Sequence, residues 1–92
     1  MAEVRRLYYV SGELLSEVFE INGKKTGEYK VYYENGQLYS IQSYIDGILN
    51  GEFKSYHENG LLHIICSYID DKINGEYKRF NSSGESLRSY VY

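Results

Sequence analysis

The segment Gly27-Glu28-Tyr29-Lys30 occurs three times in this chain, returning as Gly51-Glu52-Phe53-Lys54 and as Gly75-Glu76-Tyr77-Lys78. The matches continue at the same offset of 24 residues, so that Glu34-Asn35-Gly36 is copied as Glu58-Asn59-Gly60. Repetition at such a period is typical of arrays of one supersecondary unit, in which each unit packs against its neighbours. The chain is therefore predicted to be a repeat protein.

The repeat divides the whole chain into four units. Complete units cover residues 27–50 and 51–74, a shortened unit covers 75–92, and a degenerate unit covers about 3–26. No linker or change of composition separates them, so residues 1–92 are predicted to form a single repeat domain. The first unit has Glu3 and Glu20 at positions where later units have a glycine and a tyrosine, and it is interpreted as a charged cap that discourages further strand pairing.

Each unit is predicted to be a β-hairpin. Its first half is rich in aromatic and β-branched residues, and Asn35-Gly36 then matches a two-residue type I′ turn, in which both residues have positive φ. A second strand follows at about residues 37–45, while no window sustains the apolar spacing of a helix. The predicted fold class is all-β: a single-layer, twisted antiparallel meander of about four hairpins and about eight strands.

A two-residue loop at Asn35-Gly36 predicts the strand register, with Gly27 opposite Tyr44 and Tyr32 opposite Tyr39. The face of Gly27 and Tyr44 is then the better candidate core, and it is predicted to include Leu14, Leu38 and Leu62. The absent glycine side chain is expected to let the tyrosine ring lie across the neighbouring strand. The structural residues of this prediction are Gly27, Gly51, Gly75, Tyr29, Phe53, Tyr77, Tyr44 and Tyr68.

The opposite face is predicted to be the binding surface. It carries one aromatic residue in each unit, flanked by a lysine in the later units: Tyr8, Tyr32, Tyr56 and Phe80, with Lys30, Lys54 and Lys78. Large, rigid rings suit an interface because they lose little conformational entropy on binding. Ordinary cross-strand packing is the alternative explanation for the same residues.

The composition argues against several classes of function. The 13 acidic and 10 basic residues are mixed along the chain, with a net charge of −3, so nucleic acid is not an expected partner. Membrane contact is left open but is not favoured. The single cysteine, Cys66, cannot form an internal disulfide and indicates a reducing compartment, and no apolar leader or spanning segment is present, so a cytoplasmic location is expected.

No catalytic or metal-ligating set is predicted. His63 and Cys66 are three residues apart on a strand and are expected on opposite faces, and the predicted register also separates His63 from His57. Each glutamate of the repeated Gly-Glu segment is followed two residues later by a lysine on the same face, which indicates solvated cross-strand charge pairs rather than catalytic carboxylates. The chain is therefore predicted to be non-enzymatic, with no cofactor and no metal.

Residues 27–38, followed by Tyr44 and Asn50-Gly51, resemble the MORN repeat in its variant with an Asn-Gly turn. The chain departs from the family where Tyr29, Phe53 and Tyr77 stand at a position that often holds tryptophan. The resemblance implies an elongated antiparallel meander and a scaffold role. Members of the family serve as protein-interaction modules, in some cases as dimerisation or lipid-contacting segments, and bacterial relatives of this variant are often labelled antitoxins.

The expected function is that of a non-enzymatic scaffold or protein–protein interaction module that binds another protein. Two alternatives stay open: recognition of a lipid headgroup or small ligand between aromatic ladders, and antitoxin-like binding of a partner protein by strand addition at a sheet edge. Open edges also leave room for a homodimer or an edge-to-edge association.

Overall fold

In a computed structural model that describes residues 2–92, ten strands form one open antiparallel sheet. The strands are Ala2–Tyr8 (β1), Leu14–Ile21 (β2), Lys24–Tyr32 (β3), Leu38–Ile45 (β4), Ile48–Leu49 (β5), Gly51–Tyr56 (β6), Leu62–Ile69 (β7), Lys72–Ile73 (β8), Glu76–Arg79 (β9) and Tyr90–Val91 (β10). They follow the order β1-β2-β3-β4-β6-β7-β9-β10, with β5 beside β4 and β8 beside β7. The Cα atoms span 41 × 34 × 12 Å, the shape of a single layer. The predicted fold class is confirmed.

The predicted register holds along most of the two central hairpins. β3 pairs with β4 from Gly27 opposite Tyr44 to Val31 opposite Ser40. β6 and β7 repeat this arrangement, with Gly51 opposite Tyr68. Mutual backbone hydrogen bonds of 2.9 and 2.8 Å join Gly75 to Tyr92 in the last unit, and Glu3 lies opposite Glu20 in the first.

The predicted two-residue loop is wrong. The Tyr33 amide donates to the Gln37 carbonyl at 2.8 Å and the Gly36 amide to the Tyr33 carbonyl at 3.0 Å, so the loop has three residues, Glu34, Asn35 and Gly36. Gly36 has a φ of 90°, whereas Asn35 has no positive φ, which is the geometry of a type I turn followed by a left-handed glycine. Asn35 contributes through its side chain, because its Oδ1 accepts a hydrogen bond from the Gln37 amide at 2.9 Å.

A bulge beside this loop transfers the leucines to the other face. The register shifts between Val31 and Tyr32, so Tyr32 pairs with Leu38 and not with Tyr39. The same shift pairs Tyr8 with Leu14 and Tyr56 with Leu62. The prediction that the three leucines belong to the core face is therefore wrong, because one bulged residue reverses the side on which its neighbours lie.

We name the two faces by the residues they carry. The aromatic face carries Tyr29, Phe53 and Tyr77 with Tyr44, Tyr68 and Tyr92, and the lysine face carries Lys30, Lys54 and Lys78. The buried residues of the described chain all lie on the aromatic face: Ser16, Val18, Ser40, Ser55 and Cys66. The core is therefore on the predicted face, although it is a thin one in which rings cover small side chains.

The three strand glycines are required by their backbone conformation. Gly27, Gly51 and Gly75 have φ values of 78°, 109° and 86°, which residues with a Cβ rarely adopt. They occupy kinks in the strands, as where the β2–β3 register shifts opposite Gly27. A Cβ at Gly27 or Gly75 would meet no atom within 4 Å, and one at Gly51 would meet Ser43 and no ring. The expectation that the missing Cβ makes room for the tyrosine is therefore wrong.

Candidate interaction surface

The structure brings the predicted binding residues together on the lysine face. Its lysines alternate with isoleucines across five strands, in the order Lys30, Ile41, Lys54, Ile65 and Lys78. Beside them, Tyr8, Tyr32 and Tyr56 pair with the three leucines, and Phe80 follows two residues after Lys78. The two isoleucines were missed in the sequence analysis, although their 24-residue spacing was a readable signal.

Each lysine of this face pairs with a glutamate of its own strand. The Nζ–Oε distances are 3.8 Å for Lys30 and Glu28, 3.2 Å for Lys54 and Glu52, and 3.8 Å for Lys78 and Glu76. The interpretation as solvated charge pairs is confirmed, except that the partners lie along one strand rather than across two. Exposed pairs of this kind contribute only about 0–1 kcal/mol each to stability, so their main effect is to set the surface chemistry.

Two grooves on the lysine face are lined by equivalent residues. The first, of about 280 Å³, is lined by Glu28, Ile41, Ser43, Glu52 and Lys54, together with Leu38 and Tyr56. The second, of about 360 Å³, is lined by Glu52, Ile65, Ser67, Glu76 and Lys78, together with Cys66, Asn74 and Gly75. Five positions of the first groove therefore return 24 residues later in the second, so the repeat reproduces a concave surface as well as a hairpin.

Exposed apolar side chains extend the lysine face towards the Asp46-Gly47 and Asp70-Asp71 turns. Ile45 is 59% exposed and Ile69 is 51% exposed, each four residues along its strand from a groove isoleucine. Val4 and Phe19, a cross-strand pair at the first edge, are also exposed. These exposed apolar groups add to the surface that a partner could contact.

The units are joined on the aromatic face by a repeated side-chain hydrogen bond. Tyr9 and Tyr33 donate through their hydroxyl groups to the carbonyl oxygens of Tyr32 and Tyr56, both at 2.7 Å. His57 continues the series, with Nε2 at 2.8 Å from the Phe80 carbonyl, an arrangement that requires the proton on Nε2. This role was not predicted from the sequence, although the three donors recur at the repeat offset.

His57 and His63 lie together, contrary to the prediction. Their ring centroids are 4.3 Å apart, because the bulge turns His63 to the side of His57, just as Tyr33 and Tyr39 meet at 5.0 Å in the preceding unit. Burial, then His57 and then Arg79, lower the pKa of His63, so the neutral form of His63 is favoured. Within residues 2–92, no three metal-ligating side chains come together.

Cys66 is a buried free thiol. Burial raises its pKa, an effect partly opposed by a hydrogen bond with Tyr68, so the sulfur is held in the protonated form. The expectation that His63 and Cys66 lie on opposite faces is wrong, because the bulge turns His63 to the aromatic face, where Cys66 also lies. The side chain whose hydrogen bond affects the pKa of the thiol is nevertheless Tyr68. A protonated, buried thiol is a poor nucleophile.

The paired hairpins correspond to a known repeat. A sequence model of the MORN repeat variant matches the chain twice, at residues 25–46 and 49–70, which contain the β3–β4 and β6–β7 hairpins. Searches of curated proteins and of solved structures found no match to the chain. Across residues 2–92 there is no helix of the length and apolarity needed to span a membrane. The chain belongs to the MORN repeat family, with repeats of the variant type.

Proposed function

We propose that this chain is a non-enzymatic interaction module that binds another protein on its lysine face. The observation that carries the proposal is the recurrence of one groove, with five equivalent lining positions, on a face that the described chain leaves uncovered. Each groove combines an isoleucine, a serine and a Glu–Lys pair, and such a mixture of apolar and polar groups is typical of non-obligate interfaces.

Two further observations support this proposal. The grooves are built on paired strands, so a partner would meet a surface that needs little ordering on binding. The candidate nucleophile Cys66 is buried with a raised pKa, which favours a structural role. Its free thiol also suits a reducing compartment, and we place the module in the cytoplasm on that ground.

A charge swap within one strand tests the lysine face. The double variant Glu52→Lys/Lys54→Glu keeps the net charge and an ion pair at this place but inverts its direction between the two grooves. The matched control is Arg5→Glu/Glu20→Arg, which inverts the 3.0 Å ion pair of the aromatic face. Affinity purification from the native host, followed by mass spectrometry, should recover a partner protein with the wild type and with the control. The Glu52/Lys54 variant should not recover that protein.

Two results would contradict the proposal. One is retention of the same proteins by the Glu52/Lys54 variant, and the other is their loss in the Arg5/Glu20 control alone, which would move the interface to the aromatic face. Circular dichroism spectra should match for all three proteins. As a second probe, Tyr32→Ala/Tyr56→Ala should abolish capture without a change in the spectrum, whereas loss of folding would assign these two rings to packing.

A second candidate function, capture of a partner strand, is favoured by β1. All seven residues of β1 are exposed, and within the described chain this strand pairs only with β2. An exposed edge can add a strand from a partner protein or from a second copy, although Arg5 and Arg6 restrict which strands fit. Size-exclusion chromatography with light scattering of the 92-residue chain separates these cases, because a second copy doubles the mass.

A further inference from the structure

A pair of tyrosines on the aromatic face already holds a cation. The Lys25 Nζ lies 4.7 Å from the ring centroid of Tyr29 and 5.3 Å from that of Tyr44. Both distances fall within the roughly 6 Å over which a cation is attracted to an aromatic ring. The rings of Tyr29 and Tyr44 therefore share one site at which an ammonium group is within cation–π distance of both.

The last unit repeats this pair and adds a third ring. Tyr77 and Tyr92 are the equivalents of Tyr29 and Tyr44, and their ring centroids are 6.3 Å apart. Tyr90 lies 6.3 Å from Tyr77 and 6.4 Å from Tyr92, so the three rings form a nearly equilateral triangle. The planes are inclined to one another by 82°, 57° and 42°, so no two rings stack in parallel.

The last unit differs from the second unit at the two positions beside this ring pair. The place of Lys25 is taken by Ile73, so the last unit lacks the lysine that approaches the rings in the second unit. The place of Gln42, which donates a hydrogen bond to Tyr44, is taken by Tyr90. Compared with the second unit, the last unit therefore lacks the lysine and the glutamine beside the ring pair and has a third aromatic ring, Tyr90.

Two of these three rings are exposed to solvent, and the third, Tyr77, is half-buried. Tyr90 is 43% exposed and Tyr92 is 61% exposed, whereas a cluster that served only to fill a core would be covered. Arg79 shares the face, two residues from Tyr77, but among residues 2–92 the cation–π contacts are those of Lys25 alone. A cation from solution can therefore approach Tyr90 and Tyr92 and the half-buried ring of Tyr77 beside them.

We propose that Tyr77, Tyr90 and Tyr92 form a binding site for a quaternary ammonium group such as the trimethylammonium of choline. Ring faces attract positive charge but offer poor acceptors for N–H groups, so a primary ammonium would lose hydration at three donors. A methylated ammonium has no such donors and can place its methyl groups against the rings. This site is on the opposite face from the proposed protein interface and does not depend on it.

An NMR titration of the 92-residue chain tests this site. Tetramethylammonium and choline should shift the ring resonances of the three tyrosines with a roughly millimolar Kd, at constant ionic strength. The uncharged isostere 3,3-dimethylbutan-1-ol should bind at least about tenfold more weakly, because the attraction is electrostatic. Equal affinity for the alcohol, or no shift at about 100 mM tetramethylammonium, would overturn the proposal.

Two variants separate the site from general effects on folding. Tyr90→Gln restores the residue of the second unit and should weaken choline binding by about fivefold or more, whereas Tyr39→Gln, at a distant ring of the same face, should leave it unchanged. Lys25→Leu introduces the residue found at Leu49 and frees the Tyr29–Tyr44 pair, so a second, weaker set of shifts should appear there. Unchanged affinity in Tyr90→Gln would contradict the proposal.

Sedimentation of the chain with phosphatidylcholine vesicles distinguishes a lipid headgroup from a soluble ligand as the source of the ammonium group. Pelleting that free choline competes away assigns the site to a lipid headgroup. Binding of free choline without pelleting assigns it to a soluble ligand. Pelleting that choline does not reduce, with no choline-induced shifts, would overturn the site.

Discussion

At the scale of single residues, the Tyr33 hydroxyl connects two successive units. It donates to the Tyr56 carbonyl at 2.7 Å, while its ring meets that of Tyr39 edge-on. Burial raises the pKa of Tyr33, which keeps this donor protonated. Tyr33→Phe retains the ring and removes the donor, so we expect the free energy of unfolding to fall by about 1 kcal/mol in urea denaturation.

Tyr39→Phe is the matched control for this variant. Tyr39 belongs to the same ring pair, but no hydrogen bond of its hydroxyl is found within residues 2–92. Its removal should change the free energy of unfolding by less than about 0.5 kcal/mol. Equal losses in the two variants would show that the ring pair, not the hydrogen bond between units, supplies the stability.

The strand glycines allow a graded test of backbone conformation. Gly27 has a φ of 78°, within reach of the left-handed region, whereas Gly51 has a φ of 109° and lies further from it. We expect Gly27→Ala to lower the free energy of unfolding by about 1–2 kcal/mol, Gly27→Asn by less, and Gly51→Ala by more than either. Urea denaturation should rank the three variants in this order, and a neutral Gly51→Ala would contradict the argument.

At the scale of the hairpin, the β6–β7 unit differs from the β3–β4 unit in its ring pair, which is histidine rather than tyrosine. The lowered pKa of His63 means that the unfolded chain binds more protons than the folded chain below a pH of about 6.5. Stability is therefore fully present above that pH and falls as the pH drops towards the lowered pKa of the folded state. We expect urea denaturation midpoints to decrease between about pH 7.5 and 5.

The chain itself supplies the control for this pH dependence. His57→Tyr/His63→Tyr installs the residues of the preceding unit at both places and removes the imidazole of His63, whose lowered pKa links folding to pH. The midpoint of the double variant should be nearly constant between about pH 7.5 and 5. An equally insensitive wild type would show that the folded state does not lower the pKa of His63.

The hairpins also show how far the sequence alone could lead. Spacing and turn chemistry predicted the pairs from Gly27–Tyr44 to Val31–Ser40, because strand pairing is propagated residue by residue along a ladder. The same reasoning failed from Tyr32 onwards, since Asn-Gly is compatible with both a two-residue loop and the end of a three-residue one. That single difference relocated the leucines and brought His57 beside His63, and no local sequence pattern distinguishes the two loops.

The candidate surface was predictable in part. Lys30 and Tyr32 share a face under either loop, because they are two residues apart on β3 and the extra residue of the bulge lies in β4. The two grooves of the lysine face depend on how neighbouring hairpins pair. Ile41 of one hairpin lies opposite Lys54 of the next, for example, and one unit considered alone does not predict that contact.

At the scale of the whole molecule, the sheet formed by residues 2–92 is an array in which each hairpin lies beside its neighbours in sequence. Inserting a second copy of residues 27–50 after Asn50 adds one hairpin and the hydrogen bond that joins it to its neighbour. We expect a higher denaturation midpoint and a radius of gyration above the present Cα value of 14.4 Å. Calorimetry would measure the midpoint and small-angle scattering the radius of gyration. As a control, a scrambled insert of equal length should not raise the denaturation midpoint.

The recurrence of the groove also sets the valency of the surface. Equivalent points two strands apart are about 9.5 Å from one another, and an extended peptide covers that distance in about three residues. A partner with a motif repeated at this interval could occupy both grooves of one molecule, and its second contact would form at a high local concentration. Avidity would then favour partners with a repeated motif over partners with a single motif. This preference would increase with the number of grooves that the array presents.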